Sequence, residues 1–292
     1  MLAKFAYYIL VFPFSKLPLW ALYLFTDFFY LLLISVVPYR RKLVKKHISK
    51  SFPALSKVEQ KKLLLKFYRH LTDILAEGLK NLSISKKELN RRLTVVNKEV
   101  IDQFYTKGKS VLLVGAHYNN WEWVITSQNF LLEHQAVGIG MKMTSDFWDE
   151  KINARRSRFG MKVVHNENFR DELQKLGKSP YSLLVLADQS PSNTKKSYWA
   201  DFLNQKTAFL FGTEMIANEL DLPVVYIHLK KVKRGHYEIS FETICENPRK
   251  MEYGQISDKH IAILERNILS APEFWIWTHN RWKRELPESF ET

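Results

Sequence analysis

The sequence predicts an α/β fold: a mixed, mostly parallel sheet flanked by helices, with an N-terminal hydrophobic helix that anchors the chain to a membrane. Three observations predict it. From residue 110 onward, short apolar runs bounded by turn residues alternate with stretches of helical periodicity, as strands and helices do when they take turns along a chain. Further on, two strand-like runs meet across Arg234-Gly235, a turn that sends one strand back antiparallel and makes the sheet mixed. At the other end, Leu17 to Pro38 reads LPLWALYLFTDFFYLLLISVVP, close to the roughly 20 residues a bilayer-crossing helix needs.

The N-terminal segment carries an earlier apolar piece, Phe5 to Phe14, between Lys4 and Lys16. The apolar stretch runs on too long for a cleavable signal, and no small-residue cleavage site precedes the basic run. Asp27 sits in mid-segment, where a lone carboxylate is costly in lipid. Between Arg40 and Arg69 there are eleven Lys or Arg and one acid, Glu59. Such a flank stays on the cytoplasmic side, and each cation near an anionic leaflet is worth roughly 1 kcal/mol. A solvated helix face would show the same charges. The composition shift near residue 40 is the one clear boundary, dividing an anchoring segment, 1–39, from the domain at 40–292. The anchor either spans the bilayer or lies in its interface.

Within the domain, Leu63, Leu64, Phe67, Leu71, Ile74 and Leu75 recur at helical spacing over Lys57–Lys80. Ser85 and Glu88 have the spacing of a capping box. Val95-Val96 and Val100-Ile101 are too short to assign. Strands are expected at Val111–Ala116, Ala136–Met141, Lys162–Val164, Tyr181–Ala187, from Pro223, at His236–Glu242 and at Phe274–Thr278. Helices are expected at Trp121–Leu132, Phe147–Arg158, Phe169–Leu176, Phe211–Leu220 and Ile256–Leu269.

Composition narrows the function. The chain has 292 residues, a formal charge of +14 and one cysteine, Cys245. A surface of that sign attracts anionic lipid, phosphorylated substrate, an acidic carrier protein or nucleic acid. A lone cysteine excludes an internal disulfide. No cluster has metal-ligand spacing, no P-loop or GxGxxG is present, and no G-x-S-x-G elbow offers a serine nucleophile. The basic residues lack the groove-reading or aromatic patterns of nucleic-acid modules, so no nucleic-acid partner is expected.

Val111 to Trp123 reads VLLVGAHYNNWEW. A strand ending near Ala116 and a helix beginning near Asn120 would put His117 on the turn between them, at the C-terminal end of a strand, where open α/β sheets bind ligands. Glu122, in the first helical turn, can then reach back to one imidazole nitrogen and leave the other free to accept a proton. A satisfied structural histidine beside a helix-starting glutamate has the same spacing.

AHYNNWEW resembles the H-x-x-x-x-[DE] motif of the glycerolipid and lysophospholipid acyltransferase superfamily. The rest of the chain resembles one branch, the bacterial late acyltransferases of lipid A biosynthesis. The features that carry this, in order, are the hydrophobic segment, Ser51-Phe52-Pro53 within the basic run, ARRSRFG at 154–160, LVLADQSPS at 184–192 and WIWTHNRWK at 275–283. The last is the most specific.

The resemblance implies a glycerolipid acyltransferase-like fold and an acyltransferase domain over 40–292. It also implies an O-acyltransferase at the cytoplasmic face of the bacterial inner membrane. Its expected partners are anionic membrane lipid, a phosphorylated glycolipid acceptor and an acidic acyl carrier protein. No cofactor is expected beyond the acyl donor itself, an acyl carrier protein thioester or acyl-CoA, and no metal. His117 would be the base and Glu122 its orienting partner. Arg156 would hold a phosphate or stabilise developing charge, with Arg155 and Arg158 beside it as rivals; a basic helix end in solvent gives the same cluster.

Asp188 follows a fully apolar run and would anchor the arginine or a substrate hydroxyl; a turn-forming aspartate is the alternative. Ser190 stands where the family often has a second acid. Tyr198 to Gly212 resembles the family's substrate loop loosely, with Asn204, Lys206 and Thr207 replacing the expected small residues. For His279 and Arg281 a structural role and a phosphate contact both stay open, with alternation putting Trp275, Trp277 and His279 on one strand face. His165, His228, His236 and His260 stand alone.

Two other functions fit parts of the pattern. One keeps the chemistry and changes the acceptor to a lysophospholipid or an amino-acid-headed lipid. The other is a non-catalytic basic protein that binds membrane or nucleic acid.

Overall fold

The computed structural model describes residues 2–194 and 197–286. The chain begins with α1 (Leu2–Ala6), a π-turn (Tyr7–Val11), α2 (Phe12–Ser15) and α3 (Leu19–Ser35), followed by the basic α4 (Arg41–Ser51), α5 (Lys57–Lys80) and α6 (Lys86–Arg92). Ser56 and Glu59 close a reciprocal capping box that starts α5. The α/β part then runs β1 (Leu93–Val95), α7 (Glu99–Thr106), β2 (Val111–Gly115), α8 (Trp121–Leu131), β3 (Gln135–Gly140), α9 (Asp146–Ser157), β4 (Lys162–His165), α10 (Phe169–Gln174) and β5 (Tyr181–Leu186). A hairpin follows, β6 (Ser197–Phe202) and β7 (Gln205–Leu210). The chain closes with α11 (Gly212–Leu220), β8 (Val224–Lys233), β9 (His236–Cys245) and α12 (Gln255–Ser270).

Among the described residues, seven strands form one sheet in the order β1-β9-β8-β2-β5-β3-β4. Every neighbouring pair is parallel except β8 with β9. The sheet is therefore mixed and mostly parallel, as the alternation and the Arg234-Gly235 turn predict. All five residues of β2 are buried, because helices cover both faces, and such strands read as unbroken apolar runs. Their side chains alternate between two cores. Val111 and Leu113 join Trp123, Leu184 and Tyr237 on one face, while Leu112 and Val114 join Val137, Leu183 and Val224 on the other.

A third core lies off the end of the sheet. It gathers Val44 and Ile48 of α4, Phe67 and Tyr68 of α5, Phe202 and Phe209 of the hairpin, and Trp275 and Trp277. The hairpin was not expected from the sequence. Its turn puts Leu203 and Asn204 at φ 50° and 61°, a left-handed pair that fits the twist of two-residue hairpins. Leucine there is strained, and the Leu203 N–H donating to Glu265 Oε1 at 2.5 Å holds it.

The strand expected at Phe274–Thr278 is not one. A 3-10 turn covers Pro272–Phe274, and beyond it only a single bridge joins Trp275 to Tyr118. The backbone bonds to itself, Trp277 N–H to Trp275 O at 2.9 Å and His279 N–H to Ile276 O at 3.0 Å. Tight turns of this kind let both indoles be buried, their rings 4.8 Å apart, without an edge strand to pair with.

No single helix among the described residues is long and apolar enough to cross a membrane. Lys4–Ser15 and Leu19–Ser35 satisfy that test together, bent by 117°. α3 has two faces. Leu19, Leu22, Tyr23 and Thr26 are buried, and Tyr23 reaches Glu77 of α5. Trp20, Leu24, Phe28 and Leu31 are exposed. Asp27 is not the lone carboxylate the sequence suggests: Arg69 of α5 pairs with it at 2.6 Å and Arg234 from the β8–β9 turn also binds it.

Candidate active site

The site forms where β2 and β5 end side by side. Their parallel register pairs Gly115 with Leu186. His117 and Asp188 each lie two positions further along, so the register delivers them together. His117 Nδ1 donates to Asp188 Oδ1 at 2.7 Å. Trp275 Nε1 donates to the other oxygen, Oδ2, at 2.9 Å. Burial alone would raise the Asp188 carboxyl; His117, through its charge when protonated, and the hydrogen bonds from His117 and Trp275 outweigh it and hold Asp188 down to about 2. An ionised, doubly bonded carboxylate fixes the proton of the imidazole on Nδ1. The side-chain amide of Gln189 donates to His117 Nε2 at 3.1 Å, so that nitrogen presents its lone pair. The histidine keeps 19% of its side chain exposed while Asp188 keeps 1%.

The loop that carries His117 is fixed at each step. Asn119 sits at φ 54°, a left-handed conformation that asparagine tolerates. Its side chain donates to Leu229 O at 2.7 Å and its backbone N–H to Phe274 O at 2.9 Å. Asn120 caps α8 by accepting from Trp123 N–H at 3.0 Å. The Trp121 ring meets the imidazole edge-on, centroids 5.1 Å apart.

Glu122 was expected to orient His117. Among the described residues no hydrogen bond joins the two. Glu122 instead binds Arg155, and it binds Arg156 through Nη2 at 2.6 Å and Nε at 3.3 Å. Burial would raise the Glu122 carboxyl, and the two guanidinium groups together with His117 lower it. So the carboxylates exchange the parts the sequence reading gave them. Asp188, expected to anchor an arginine or a substrate, holds the histidine, and Glu122, expected to hold the histidine, anchors arginines. The reason is geometric: the register of β2 and β5 brings position 188 alongside 117, whereas the first turn of α8 points Glu122 at the end of α9.

Arg155 and Arg156 both enter this cluster. Arg158 does not; it donates to Leu82 O at 2.9 Å and to Ile84 O, clamping α9 to the turn after α5. His279 accepts from the Ser190 backbone N–H at 3.0 Å, and burial pushes it down to about 4, which suits a neutral structural acceptor. Arg281 is 1% exposed. Its guanidinium lies 4.3 Å from the Phe209 ring centroid; among the described residues none of its three nitrogens has a hydrogen-bond partner, and burial lowers it to about 10.

A small apolar cavity lies behind the loop, lined by Ala116, Tyr118, Trp121, Ile227 and Leu229 among others, with about 20 Å³ of space. That is room for about one water.

Residues 1–284 match the family described as bacterial lipid A biosynthesis acyltransferase. The chain belongs to this family. It is an O-acyltransferase. Similar curated proteins include the lipid A biosynthesis lauroyltransferase of Escherichia coli (strain K12), 21% identical over 248 residues, which cover 84% of this chain and 79% of that protein. Another is the lipid A biosynthesis acyltransferase of Haemophilus influenzae (strain ATCC 51907 / DSM 11121 / KW20 / Rd), 22% identical over 294 residues, 88% of this chain and 86% of that protein.

Gln189 and Trp275 of the acyltransferase were missed as site residues, although both lie in stretches that carried the resemblance. Asn119 and Asn120 were missed because an asparagine pair signals only a turn until its partners are known.

Proposed function

We propose that the acyltransferase moves a fatty acyl chain from an acyl carrier protein thioester, or from acyl-CoA, onto a hydroxyl of a lipid A precursor. The observation that carries this is His117 held through Nδ1 by buried Asp188, with Nε2 accepting from the Gln189 amide and so presenting a lone pair. The acceptor hydroxyl takes the place of the Gln189 amide at Nε2. The histidine removes its proton as the oxygen attacks the thioester carbonyl, and the thiolate leaves with a proton returned by the imidazolium. No acyl group rests on the protein in this scheme. The Asp188 carboxylate stabilises the imidazolium while it exists.

Among the described residues Arg155 and Arg156 face one carboxylate, Glu122, which leaves one positive charge in excess in this cluster. That charge suits a phosphate of the acceptor or the oxyanion of the tetrahedral intermediate. The apolar cavity behind the loop is the natural entry for the fatty tail, and its side chains must move to admit one.

Residues 1–39 act as the membrane-seating segment of an acyltransferase domain that follows. The 117° bend and the divided faces of α3 support a segment lying in the cytoplasmic leaflet, apolar face down, rather than one crossing it. The +14 charge favours the anionic leaflet, a phosphorylated acceptor and an acidic carrier protein alike.

The deciding experiment is mass spectrometry of lipid A and total phospholipid from a strain lacking this protein. A missing secondary acyl chain on lipid A supports the proposal. Unchanged lipid A with an altered lysophospholipid or aminolipid pool moves the acceptor to that class.

A further inference from the structure

Glu77 of α5 is fully buried, and the reaction above does not use it. Its carboxylate accepts from three separate parts of the chain: Tyr23 Oη of α3 at 2.6 Å, Tyr237 Oη of β9 at 2.7 Å and Asn120 Nδ2 at 2.5 Å. Its backbone carbonyl accepts from Trp123 Nε1 at 3.2 Å. A carboxylate taken out of water is tolerated when its lone pairs are filled, and filling them here joins the N-terminal helices to the catalytic loop. Asn120 is the joint. One end of its amide donates to Glu77 and the other caps α8, so its orientation is fixed from both sides. Asn120 lies three residues after His117.

We propose that Glu77 is a positioning residue for the reaction: by holding Asn120 it sets the His117 loop in register with α3 and α5. The inference rests on His117 being the base.

The test uses the full-length protein in anionic vesicles, with a lipid A precursor and an acyl carrier protein thioester. Asn120→Ser keeps a cap on α8 and removes only the bond to Glu77. We expect its kcat to fall about 10²-fold, the cost of a displacement near 1 Å, with both KM values within about twofold. Glu77→Leu leaves the Asn120 amide without its acceptor and should show the same kcat loss. Glu77→Gln keeps one acceptor oxygen for Asn120 and Tyr237 and can donate from its nitrogen to the Tyr23 hydroxyl, so its kcat should stay within about threefold. A normal kcat in Asn120→Ser overturns the proposal, as does a folded Glu77→Leu variant with normal kcat. If Glu77→Leu does not fold, Asn120→Ser alone decides. His117→Ala separates the two readings. If it is inactive while Asn120→Ser is normal, only the positioning inference fails; if it stays active, the general-base reading fails and takes this inference with it.

Discussion

His117 and Asp188 stand level on neighbouring parallel strands, each two residues past the Gly115–Leu186 pair, and one hydrogen bond of 2.7 Å joins them. Because a sheet register sets that level, the pair is rigid, and substitutions can probe its chemistry without moving its frame.

His117→Ala should lower kcat by about 10²–10⁴-fold, the contribution of a positioned general base, with Tm changed little because the ring is part-exposed. Asp188→Asn should come close to it, since an amide no longer secures the Nδ1 proton. Glu122→Gln should cost less in kcat and more in acceptor KM, because its partners are Arg155 and Arg156. Steady-state kinetics on all three, with acceptor varied, ranks them. Glu122→Gln matching His117→Ala in kcat, with Asp188→Asn mild, would return the orienting role to Glu122.

Gln189→Ala should behave differently. It removes a donor that competes with the acceptor hydroxyl for Nε2, and one neutral hydrogen bond is worth about 0.5–1.5 kcal/mol. Acceptor KM should stay level or fall, and kcat should change by no more than about tenfold. A loss as large as that of Asp188→Asn would make Gln189 a participant in the reaction.

Acid unfolding should come in two stages. His260 and His279 are pushed from 6.5 down to about 4 by burial. The unfolded chain therefore binds more protons at these sites between pH 6.5 and 4, and stability falls as pH drops through that window. Asp188 goes from 3.8 to about 2. Its folded value is the lower one, so its contribution is whole above about pH 4 and lost as pH falls towards 2, amounting to about 2 kcal/mol. Thermal midpoints measured across this range should show both stages, and Asp188→Asn should lose the lower one.

Membrane seating should depend on the outer face of α3. Trp20 and Phe28 are 67% and 58% exposed, and burying each in lipid is worth about 1.5–3 kcal/mol. Changing both to Glu should lower partition onto anionic vesicles by at least about 10²-fold in a flotation assay, leaving Tm within a few degrees. Unchanged flotation would move the seat elsewhere, to the basic α4 first.

Much of this was legible beforehand. The alternating apolar runs located six of the seven strands of the main sheet because buried parallel strands need continuous apolar sequence, as VLLVG and YSLLVL do; β1 (Leu93–Val95) was missed because three residues at the sheet edge are too short to show a period. His117 was legible from its place at a strand end. Its partner was not, since 71 residues separate it from Asp188 and only the strand order β2-β5 makes them neighbours. The β6–β7 hairpin was hidden because its turn residues, Leu203 and Asn204, lack the usual glycine. The segment 274–278 looked like a strand because indoles at alternate positions imitate strand periodicity, while the real cause is burial of both rings in tight turns.

Tyr23 and Glu77 give the first helices a consequence for anyone wishing to handle this enzyme without lipid. Cutting the chain at residue 40 would strip Leu19 and Leu22 from an interior they help fill and leave the Glu77 carboxylate short of a donor. The remainder would carry an open wound along α5, beside the very helix that frames the catalytic loop. If α3 is the membrane seat proposed above, solubilising this acyltransferase is therefore a matter of repainting the outward side of α3 and leaving its length intact.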